Sequence, residues 1–467
     1  MKRFAIAAIL AILAVYVADA QVRTSYFVRN STLNHNFNPA FAPDQGYVGF
    51  PFLSNIYVGT KGNLGLSSVL YPLDNGKLGL FLHPDIPVEQ AMSGFSAKNT
   101  LGASVNYDII NAGWFTGKDS FWTLSLGLNM DMDISVPYEL AEFMKVGMNQ
   151  DPTSYSIAGI SAVSELQARF SLGYSRGLDN LVKGLRIGGK VHLISSIASA
   201  YAKVDRMDIN MSAERWTVNS KASGMLYGSG IVFNHDENGY ISGYGFDYSS
   251  LRPAGYGAAL DLGIEYTLSE GTPVDGLRFA LSVRDLGFML YGKNTAYALE
   301  SDNGEVVFEG FEGIGQETDL KQQINELTSS LLGITSLKEV AMDKNCVEML
   351  STRMHASVDY SFLGNKMNVG LLYSGRFGKL IDEHELTLAW NYAPARWFDI
   401  AISYSMLNTG TTFGWLLTFV PRKGLNMFIG SDYTAFNYSS LGIPVHGSYM
   451  NVNLGISVPL GGKNRRY

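Results

Sequence analysis

Cysteine and charge are both scarce in this sequence. Of its 467 residues only Cys346 is a cysteine, and a single thiol cannot form an internal disulfide. Charged residues make up 16% of the chain, against about 25% in a typical soluble domain. The formal net charge is −7. Because no basic cluster exceeds Lys463, Arg465 and Arg466, the composition argues against a nucleic-acid partner.

Uninterrupted apolar runs are also short. After residue 21 no stretch approaches the roughly 18 apolar residues that a transmembrane helix needs. Near the start, Lys2 and Arg3 precede an apolar run over residues 4–17 and then the small-residue sequence ADA. This order predicts a signal peptide cleaved after Ala20, and a transmembrane anchor, the alternative, would need a longer run. No cysteine lies near the cleavage site, which argues against a lipid-anchored lipoprotein.

The sequence has instead a two-residue alternation of apolar and polar residues. Aromatic residues make up 12% of the chain, and glycine contributes 50 residues. In residues 122–134 every even position is apolar, whereas small or polar residues occupy the odd positions. A β-strand separates two such sets onto opposite faces, and a helix could not. The pattern returns in residues 260–268 and 450–458, each about as long as a strand that crosses a membrane at a tilt.

Weaker alternation through the rest of the chain favours an all-β, transmembrane antiparallel β-barrel over a soluble sandwich or propeller. Aromatic residues near strand ends suit interfacial girdles, namely Phe121, Trp122, Trp390, Tyr392, Trp397 and Trp415. The polar face carries small and charged side chains, as a lumen lining would. The residues expected to line the lumen are Asp108, Asn129, Asp131, Asp133, Lys190, His192, Asp261, Glu265, Arg284 and Asp359.

The links between strands give a further indication, because short turns and longer loops lie at opposite ends of outer-membrane barrels. The short links RGLDNLVKG, SEGTPVDG, LGNK, APAR and PRKG all fall on one side. The long links fall on the other side, at residues 136–155, 202–255, 291–352 and 436–446. From residue 101 onward this gives about 13 strands, so an even number needs one or three more from residues 47–82. We expect about 14 strands over residues 46–460, with 16 as the alternative.

Two segments in the long links carry helical patterns. Pro137 opens PYELAEFMKVG, at a position that suits the first turn of a helix. DLKQQINELTSSLLG, residues 319–333, spaces its apolar residues at helical intervals and ends at a glycine. We expect both to be loop elements that pack over the barrel mouth, and the binding of a partner is the alternative.

Motifs for chemistry are few. GYSRG, residues 173–177, matches a nucleophile elbow but leads into a short turn and the next strand, not into a helix. GGKV, residues 188–191, lacks the other residues of a phosphate loop. The seven histidines never take zinc-binding spacing, and one cysteine cannot build a thiolate site. The sequence therefore predicts no catalytic site, no cofactor and no transition-metal site.

Acidic, oxygen-rich stretches raise the question of calcium. Residues 300–319 contain seven acidic and no basic residues, and SDNGE and HDENG are rich in oxygen ligands. Neither has the full ligand spacing of a calcium loop, so solvated turns are the simpler interpretation.

The beginning and a late part of the chain carry a family resemblance. NHNFNPAFAPDQGYVGFPFLSNIYV, residues 34–58, and NYAPARWFDI, residues 391–400, resemble outer-membrane β-barrels of Bacteroidota in the family DUF5723. The similarity spans essentially the whole mature chain. More distantly, Asn38, Pro39 and Ala40 look like the NPA of FadL-type long-chain fatty acid transporters and of barrels attached to the type IX secretion and gliding machinery.

In the FadL-type family the N-terminal segment folds into the barrel as a hatch, so the resemblance implies that residues 21–45 lie in the lumen. Proline in this stretch opposes regular strand pairing, and a flexible periplasmic lead is the alternative. The expected hatch residues are Phe37, Asn38, Pro39, Ala40 and Phe41, with Phe50 and Phe52 on its border. The chain departs from the usual barrel at its end, because GGKNRRY follows the last strand near Leu460.

We therefore expect a passive uptake barrel for a small solute, a hydrophobic one included, in the outer membrane of a Gram-negative bacterium. Its partners would be outer-membrane lipid, a hydrophobic small-molecule ligand and proteins bound through the long loops. The alternative is a non-transporting accessory barrel that scaffolds a secretion or cell-surface assembly machine. A solute-filled lumen would favour uptake, and a tightly packed lumen with protein partners would favour the scaffold.

Overall fold

The structure is a computed structural model that consists mostly of β-strands. It describes residues 23–29, 31–73, 77–237, 239–250, 252–268, 275–301, 304–308, 337–340, 342–378, 382–395, 397–407, 410–421, 424–434 and 449–460. The predicted signal peptide, the predicted helix over residues 319–333, the link over residues 436–446 and parts of both oxygen-rich stretches lie outside these residues.

The strands are numbered in chain order. The first twelve are β1 (Gly46–Gly49), β2 (Asn55–Lys61), β3 (Leu70–Pro72), β4 (Leu78–Leu80), β5 (Lys98–Thr116), β6 (Ser120–Pro137), β7 (Thr153–Ile157), β8 (Ile160–Gly177), β9 (Leu185–Met211), β10 (Trp216–Tyr227), β11 (Ile231–His235) and β12 (Ile241–Phe246). The others are β13 (Gly255–Thr267), β14 (Leu277–Tyr291), β15 (Ala296–Ser301), β16 (Gly304–Phe308), β17 (Leu337–Val340), β18 (Cys346–Met349), β19 (Thr352–Phe362), β20 (Met367–Phe377), β21 (Glu383–Ala395), β22 (Phe398–Leu407), β23 (Gly410–Phe419), β24 (Asn426–Thr434) and β25 (Met450–Leu460).

Helices are few and short. The α-helices are α1 (Leu66–Val69), α2 (Val88–Met92) and α3 (Tyr138–Val146), and 3-10 turns cover Arg23–Ser25, Asn34–Asn36 and Tyr248–Ser250. The helix predicted after Pro137 is confirmed as α3, with Pro137 as its N-cap. None of the helices within the described ranges has both the length and the apolar character to cross a membrane.

The antiparallel pairing closes into a ring. Each neighbour pairs in turn from β5 through β6, β8, β9, β13, β14, β19 and β20 to β25. The ring closes because β1 and β2 pair with β25 on one side and with β5 on the other. Counting β1 and β2 as one interrupted strand, and β18 with β19 as another, gives 14 strands. The predicted 14-stranded barrel is confirmed.

The first barrel strand is interrupted where proline cannot donate a ladder hydrogen bond. Pro51 lies in the break between β1 and β2, and Phe52 there adopts a left-handed backbone with φ of 65°. Phe50 and Phe52 are 44% and 62% exposed. The expectation that they border the hatch is therefore wrong. Phe50 continues the outward face of β1 that Val48 begins, and the break turns Phe52 outward as well.

The two faces of the barrel wall differ in polarity. On β9, Val191 and Leu193 are exposed, whereas Lys190 and His192 are buried. The same division recurs around the ring, with apolar side chains outward on most strands. An apolar exterior over a polar interior is typical of barrels that cross a membrane. The two-residue alternation of the sequence thus becomes an inside and an outside.

Phe121 shows how strictly this alternation holds. The residue was expected in an interfacial girdle, but it is only 1% exposed and packs in the lumen against Tyr47. Its odd position on β6 places it on the inward face, beside Thr123. Trp122, at the next position, faces out and packs on Tyr174 of β8, with ring centroids 4.6 Å apart.

The two rims of the barrel differ as the sequence predicts. Six short links, including residues 117–119, 178–184 and 363–366, join strands at one end, here called the turn rim. At the other end, the loop rim, some strands extend far beyond the ring. β9 is 27 residues long. Its far half pairs with β7 and β10, and β15 and β16 pair with β10 in turn.

These additional strands correct two of the predicted loops. Residues 202–255 contain the end of β9 as well as β10, β11 and β12, and residues 291–352 contain β15 to β18. These two long links therefore contain paired strands, because strands paired with one another satisfy backbone hydrogen bonds outside the ring as well. The sheet beyond the loop rim is called the extension sheet below, comprising β7, the far half of β9, β10 and β15–β17.

Candidate functional site

Residues 23–45, with residue 30 outside the description, form a lumenal segment enclosed by the ring. It contains two 3-10 turns and no strand. Its partners lie on strands all around the wall, from β1 and β9 to β20 and β24. Eleven of its side chains are at most 2% exposed: Thr24, Ser25, Tyr26, Phe27, Val28, Leu33, His35, Phe37, Asn38, Ala40 and Phe41.

The segment begins with an anchor on β24. One carboxylate, that of Asp432, accepts hydrogen bonds from the backbone amides of Arg23 and Thr24 and from the Thr24 hydroxyl. The Arg23 guanidinium donates to the Tyr433 hydroxyl at 2.6 Å and pairs with Glu385 at 3.1 Å. Bonds to an ionised acceptor are stronger than neutral ones, so this end is held by charge as well as by packing.

An aromatic cluster fills the middle of the lumen. It is defined as Tyr26, Phe27, Phe37 and Phe41 of the segment with Ala280, Leu372 and Ala389 of the wall. Tyr26 meets the other three rings edge-on, at centroid distances of 4.9, 5.7 and 5.1 Å, a geometry that aromatic pairs prefer. The Tyr26 hydroxyl lies 3.0 Å from that of Ser357. A second apolar cluster joins Val28 and Leu33 of the segment to Ala401, Leu416 and Phe428 of the wall.

A chain of polar groups holds the next part of the segment. The Lys190 ammonium donates to the Asn36 side chain at 2.9 Å and lies 3.4 Å from Nδ1 of His35. Burial lowers the pKa of His35 well below its usual range, and the Lys190 charge acts in the same direction. Since an ammonium can only donate, Nδ1 accepts and Nε2 carries the proton toward the Tyr47 hydroxyl. Tyr47 in turn donates to Asn111 at 2.9 Å.

The Asn38–Ala40 turn lies against bare backbone. Asn38 donates to the carbonyl oxygens of Ile264 and Leu281 on adjacent strands, at 3.1 and 3.3 Å. Its own side-chain oxygen accepts from the Ala40 amide at 2.9 Å. Asparagine thus closes the turn and binds the wall with one side chain, which explains why this residue precedes the proline.

Two glycines make that approach feasible. Gly188 of β9 and Gly263 of β13 are directly opposite each other in the sheet. A Cβ at Gly188 would lie 2.1 Å from the Pro39 carbonyl oxygen, and one at Gly263 would lie 2.0 Å from the Asn38 side-chain oxygen. Real Cβ atoms do not come so close, so the wall is shaped for this turn.

The same complementarity recurs on the other side of the lumen. A Cβ at Gly370 of β20 would meet the Phe27 ring at 2.6 Å, and one at Gly414 of β23 would meet the Thr24 hydroxyl at 2.4 Å. Each of four strands therefore has a glycine, and so no side chain, where the segment contacts it. A loosely bound peptide would not require glycine at these positions on opposite walls.

An arginine network supports the last ring of the cluster. The Arg278 guanidinium lies 4.9 Å from the centroid of the Phe41 ring, within the range of a cation–π contact. Asp359 and Glu265 hold the same guanidinium, at 2.7 and 3.4 Å. Beside it, the Arg186 guanidinium donates to the Ala40 carbonyl at 2.7 Å. The charges of this region are thus paired with one another and directed at the segment.

Above the segment, toward the loop rim, ion pairs join opposite walls. Asp133 of β6 pairs with Arg376 of β20 at 3.1 Å, and Lys61 of β2 pairs with Glu383 of β21. Arg376 also pairs with Glu383 at 3.1 Å. The four residues form one chain across the lumen, here called the cross-lumen bridge. Because the two walls meet through it, the lumen is narrow at this level.

Two cavities flank the aromatic cluster. The lower cavity opens near the turn rim and is lined by Phe27, Val28, Arg29, Asp44, Asn365, Lys366, Asn368, Asn391, Ala393 and Asp399. The upper cavity lies toward the cross-lumen bridge and is lined by Arg23, Arg353, His355, Ser374, Gly375, Arg376, Glu383, His384, Glu385 and Leu407. Both follow the inner face of β20–β22.

The ten residues expected in the lumen fall into separate groups. Lys190 contacts the segment, Glu265 and Asp359 hold Arg278, and Asp133 belongs to the cross-lumen bridge. Asp108 accepts from Asn55 and Asn111 near Tyr47. His192 and Arg284 both lie against Asp261, at 3.0 and 3.5 Å. Asp131 accepts a hydrogen bond from Ser104 on the neighbouring strand, and Asn129 faces Asn106 in register.

Several residues of this site were not found from the sequence. Asp432 and Glu385 of the anchor, Arg278, and Arg376 of the bridge are examples. Arg278 had a signal, because it occupies the same strand face as Arg284, six positions away in the alternation. The glycine positions had none, since only the fold shows which of the 50 glycines lie under the segment.

A cluster with metal-binding geometry also lies in the wall. The ligand atoms of His192, Asp261 and Asp285 lie within 4.8 Å of one another. However, Arg169 pairs with Asp285, and Arg284 faces Asp261. Guanidinium groups already neutralise both carboxylates, so the arrangement suits an internal ion-pair network rather than a cation site.

The fold and the site together define a 14-stranded β-barrel whose lumen holds its own N-terminal segment. The chain belongs to a family of unknown function, DUF5723, whose profile matches residues 39–432. No protein with a curated description matches it.

Solved structures that align with the chain are barrels as well. The toluene transporter TodX of Pseudomonas putida is 9% identical, with 95% of this chain and 99% of that chain covered and a TM-score of 0.41. The toluene transporter TbuX of Ralstonia pickettii is 7% identical, with 95% and 94% covered and a TM-score of 0.37. At such identities and scores these neighbours say nothing about the solute of this chain.

Proposed function

We propose that the chain is a passive uptake barrel of an outer membrane, closed at rest by its lumenal segment, for a small solute. The observation that carries this proposal is the pair of cavities on either side of the aromatic cluster, along the same wall of β20–β22. A barrel that only scaffolds other proteins does not require aligned cavities in its lumen. A solute that moves along this wall needs only the first residues of the segment to shift.

Membrane insertion is supported by the exterior of the wall. Side chains such as Val191, Leu193, Leu262 and Leu388 are each more than 45% exposed, and soluble monomers rarely expose large continuous apolar surfaces. The last residues of the segment join β1 at the turn rim, which would face the periplasm, and the loop rim would face the outside. Lipid would then surround the ring, and the extension sheet would stand outside it.

The hatch role rests on how the segment closes the lumen. Asn38, Pro39 and Ala40 dock on the glycine pair, and Phe37 and Phe41 complete the aromatic cluster. The cluster separates the lower cavity, which Phe27 lines, from the upper one, which Arg23 lines. An apolar constriction between polar cavities excludes water and hydrated ions. It favours a solute with an apolar body, hydrophobic solutes included.

Proteoliposome swelling in arabinose tests this function. We expect a variant that lacks residues 23–45 to swell at least tenfold faster than the mature chain, because the constriction is removed while the ring remains. A matched control deletes residues 228–250, an equally long stretch outside the ring, and should not change the rate. Heat-dependent gel migration reports whether each variant assembles. Equal swelling of the assembled segment-deletion variant and the mature chain would contradict the hatch.

A second candidate, an accessory barrel that scaffolds a surface machine, is favoured by the extension sheet. β9 continues for many residues beyond the ring and carries paired strands there, which passive uptake does not require. Deleting residues 202–226 removes the far part of this sheet. If the deletion removes co-purifying proteins and leaves solute permeation unchanged, the scaffold is favoured. If the deletion changes neither the co-purifying proteins nor solute permeation, uptake is favoured.

A further inference from the structure

Asn391 of β21 is buried in the lumen, but one of its polar atoms is unpaired. The residue is 7% exposed, and its side-chain amide donates to the side-chain oxygen of Asn368 on β20 at 3.2 Å. Within the described part of the chain, the side-chain oxygen of Asn391 accepts no hydrogen bond. Buried polar groups in native proteins are nearly always paired, so this oxygen needs an explanation.

A neighbouring carboxylate fixes which atom of Asn391 is unpaired. Turning an asparagine side chain over exchanges its donor and its acceptor. Asp359 pairs with Arg278 at 2.7 Å, and an ionised carboxylate can only accept, so the nitrogen of Asn368 must face it. The oxygen of Asn368 then faces Asn391 and requires the Asn391 nitrogen on that side. The unpaired atom of Asn391 is therefore an acceptor.

Asn391 also lines the lower cavity, so a ligand in that cavity can supply the missing donor. Two basic and two acidic side chains share the lining, namely Arg29, Lys366, Asp44 and Asp399. Their formal charges cancel, and Arg29 already donates to the Ser361 hydroxyl at 2.7 Å. The lining therefore suits a neutral ligand better than an ion. Phe27 of the segment adds an aromatic ring to it.

We propose that the lower cavity binds a neutral small molecule whose hydroxyl group donates a hydrogen bond to the side-chain oxygen of Asn391. Its apolar body lies against Phe27, whose ring packs on Tyr26 of the aromatic cluster at a centroid distance of 4.9 Å. This inference rests on the proposed uptake function and gives the solute a chemical class, an alcohol or phenol with an apolar body. A hydrocarbon without a donor leaves Asn391 unpaired, and a site built to bind a hydroxyl discriminates against such an analogue.

Fluorine NMR of the mature barrel in detergent micelles tests the site without any transport step. The probes are para-fluorobenzyl alcohol and its methyl ether, which has the same ring and oxygen but no hydrogen to donate. Micelles without protein give the signal of each probe in detergent alone. We expect the alcohol to bind about tenfold more tightly than the ether, the effect of one hydrogen bond. Equal binding of the two probes, or binding of neither, would overturn the proposal.

Two leucine variants locate the site. Asn391→Leu removes the acceptor at similar side-chain size and should abolish the preference for the alcohol over the ether. Asn453→Leu is the matched control, because Asn453 is fully buried on β25, donates to Asn55 at 2.8 Å and also has an unpaired oxygen within the described residues. Asn453 is not among the residues that line the lower cavity, so this variant should keep the preference.

The outcomes separate the site from the uptake function. Heat-dependent gel migration reports assembly, and Asn391→Ala removes the same acceptor if leucine prevents it. A preference that persists without Asn391, or that both leucine variants lose, would overturn the site even if uptake is real. Conversely, an Asn391-dependent preference in a barrel whose swelling does not respond to deletion of the segment would leave the site and remove the uptake function.

Discussion

The lower and the upper half of the lumen are closed by different means. In the lower half the segment meets glycine backbone and an aromatic cluster, and most of these contacts depend on shape. In the upper half, two walls meet through the cross-lumen bridge, and the contacts are those of charge. A passing solute cannot replace contacts that depend on shape. Another anion, in contrast, can replace a carboxylate that is paired with an arginine.

The difference implies a division of labour. Under the proposed function, the lower closure decides whether the barrel is open, because the segment would have to move before a solute passes it. The upper closure depends on charge instead, because ion pairs join the two walls at that level. The four changes below are directed at one closure or the other, from the largest expected effect to the smallest.

The aromatic cluster should be the most sensitive part of the lower closure. Phe41→Ala removes a ring that packs on Tyr26 and lies under Arg278. We expect the docked segment to lose about 3 to 5 kcal/mol, the usual cost of truncating a buried phenylalanine. Hydrogen exchange of the segment amides measures this loss. Phe52→Ala, at a 62% exposed ring, is the control, and equal exchange in both variants would rule out a packed lower closure.

The glycine pair allows a test of shape alone. Gly188→Val forces side-chain atoms into the Pro39 carbonyl, whereas the Cβ of Gly189→Val has no neighbour closer than 3.6 Å. Overpacking of this kind costs about 2 to 3 kcal/mol, which corresponds to a roughly 30- to 100-fold rise in segment undocking. Alkylation of Ser31→Cys in a Cys346→Ser background reports the rise. Similar rates in the two valine variants would mean that the turn does not depend on a bare wall.

The anchor on β24 should contribute less than the packing. Asp432→Asn keeps one acceptor oxygen but removes the charge that holds the amides of Arg23 and Thr24. Bonds to charged groups contribute about 1.5 to 3 kcal/mol, and the retained oxygen limits the loss to about 1.5 kcal/mol. The same alkylation assay should show an approximately tenfold faster reaction. Asp205→Asn, on the extension sheet, should not alter it, and an unaltered rate in Asp432→Asn would remove the anchor from the closure.

The sequence predicts the features of the two closures that depend on local interactions, and it does not predict those that depend on contacts between distant residues. The two-residue alternation is local, so it predicted about 13 strands and which face of each strand is polar, and closure to an even number gave 14. It did not predict the extents, since β9 continues into the extension sheet where its residues no longer alternate strictly. The outward position of Phe52 also escaped it, because that depends on the backbone at the Pro51 break.

A local sequence pattern does not predict which residues contact each other across the lumen. The alternation places Asp131 and Asp133 on the same polar face of β6, yet Asp133 pairs with Arg376 on the opposite wall, whereas Asp131 accepts a hydrogen bond from Ser104 on the adjacent strand. Which of the two crosses depends on the height of each residue in the barrel and on strand tilt. The same holds for the glycines, whose role depends on a segment more than a hundred residues earlier in the chain.

This pair of aspartates also gives the finest test of the upper closure. In a background that lacks residues 23–45, the upper closure alone limits conductance. Asp133→Asn weakens the link to Arg376, but asparagine can still accept a hydrogen bond and Arg376 keeps Glu383, so the change is about 1 kcal/mol. We expect a two- to fivefold rise in conductance across planar bilayers. Asp131→Asn, two residues away on the same face, should leave conductance unchanged. Equal effects of the two variants would mean that general lumen charge, and not a bridge between walls, controls the upper half.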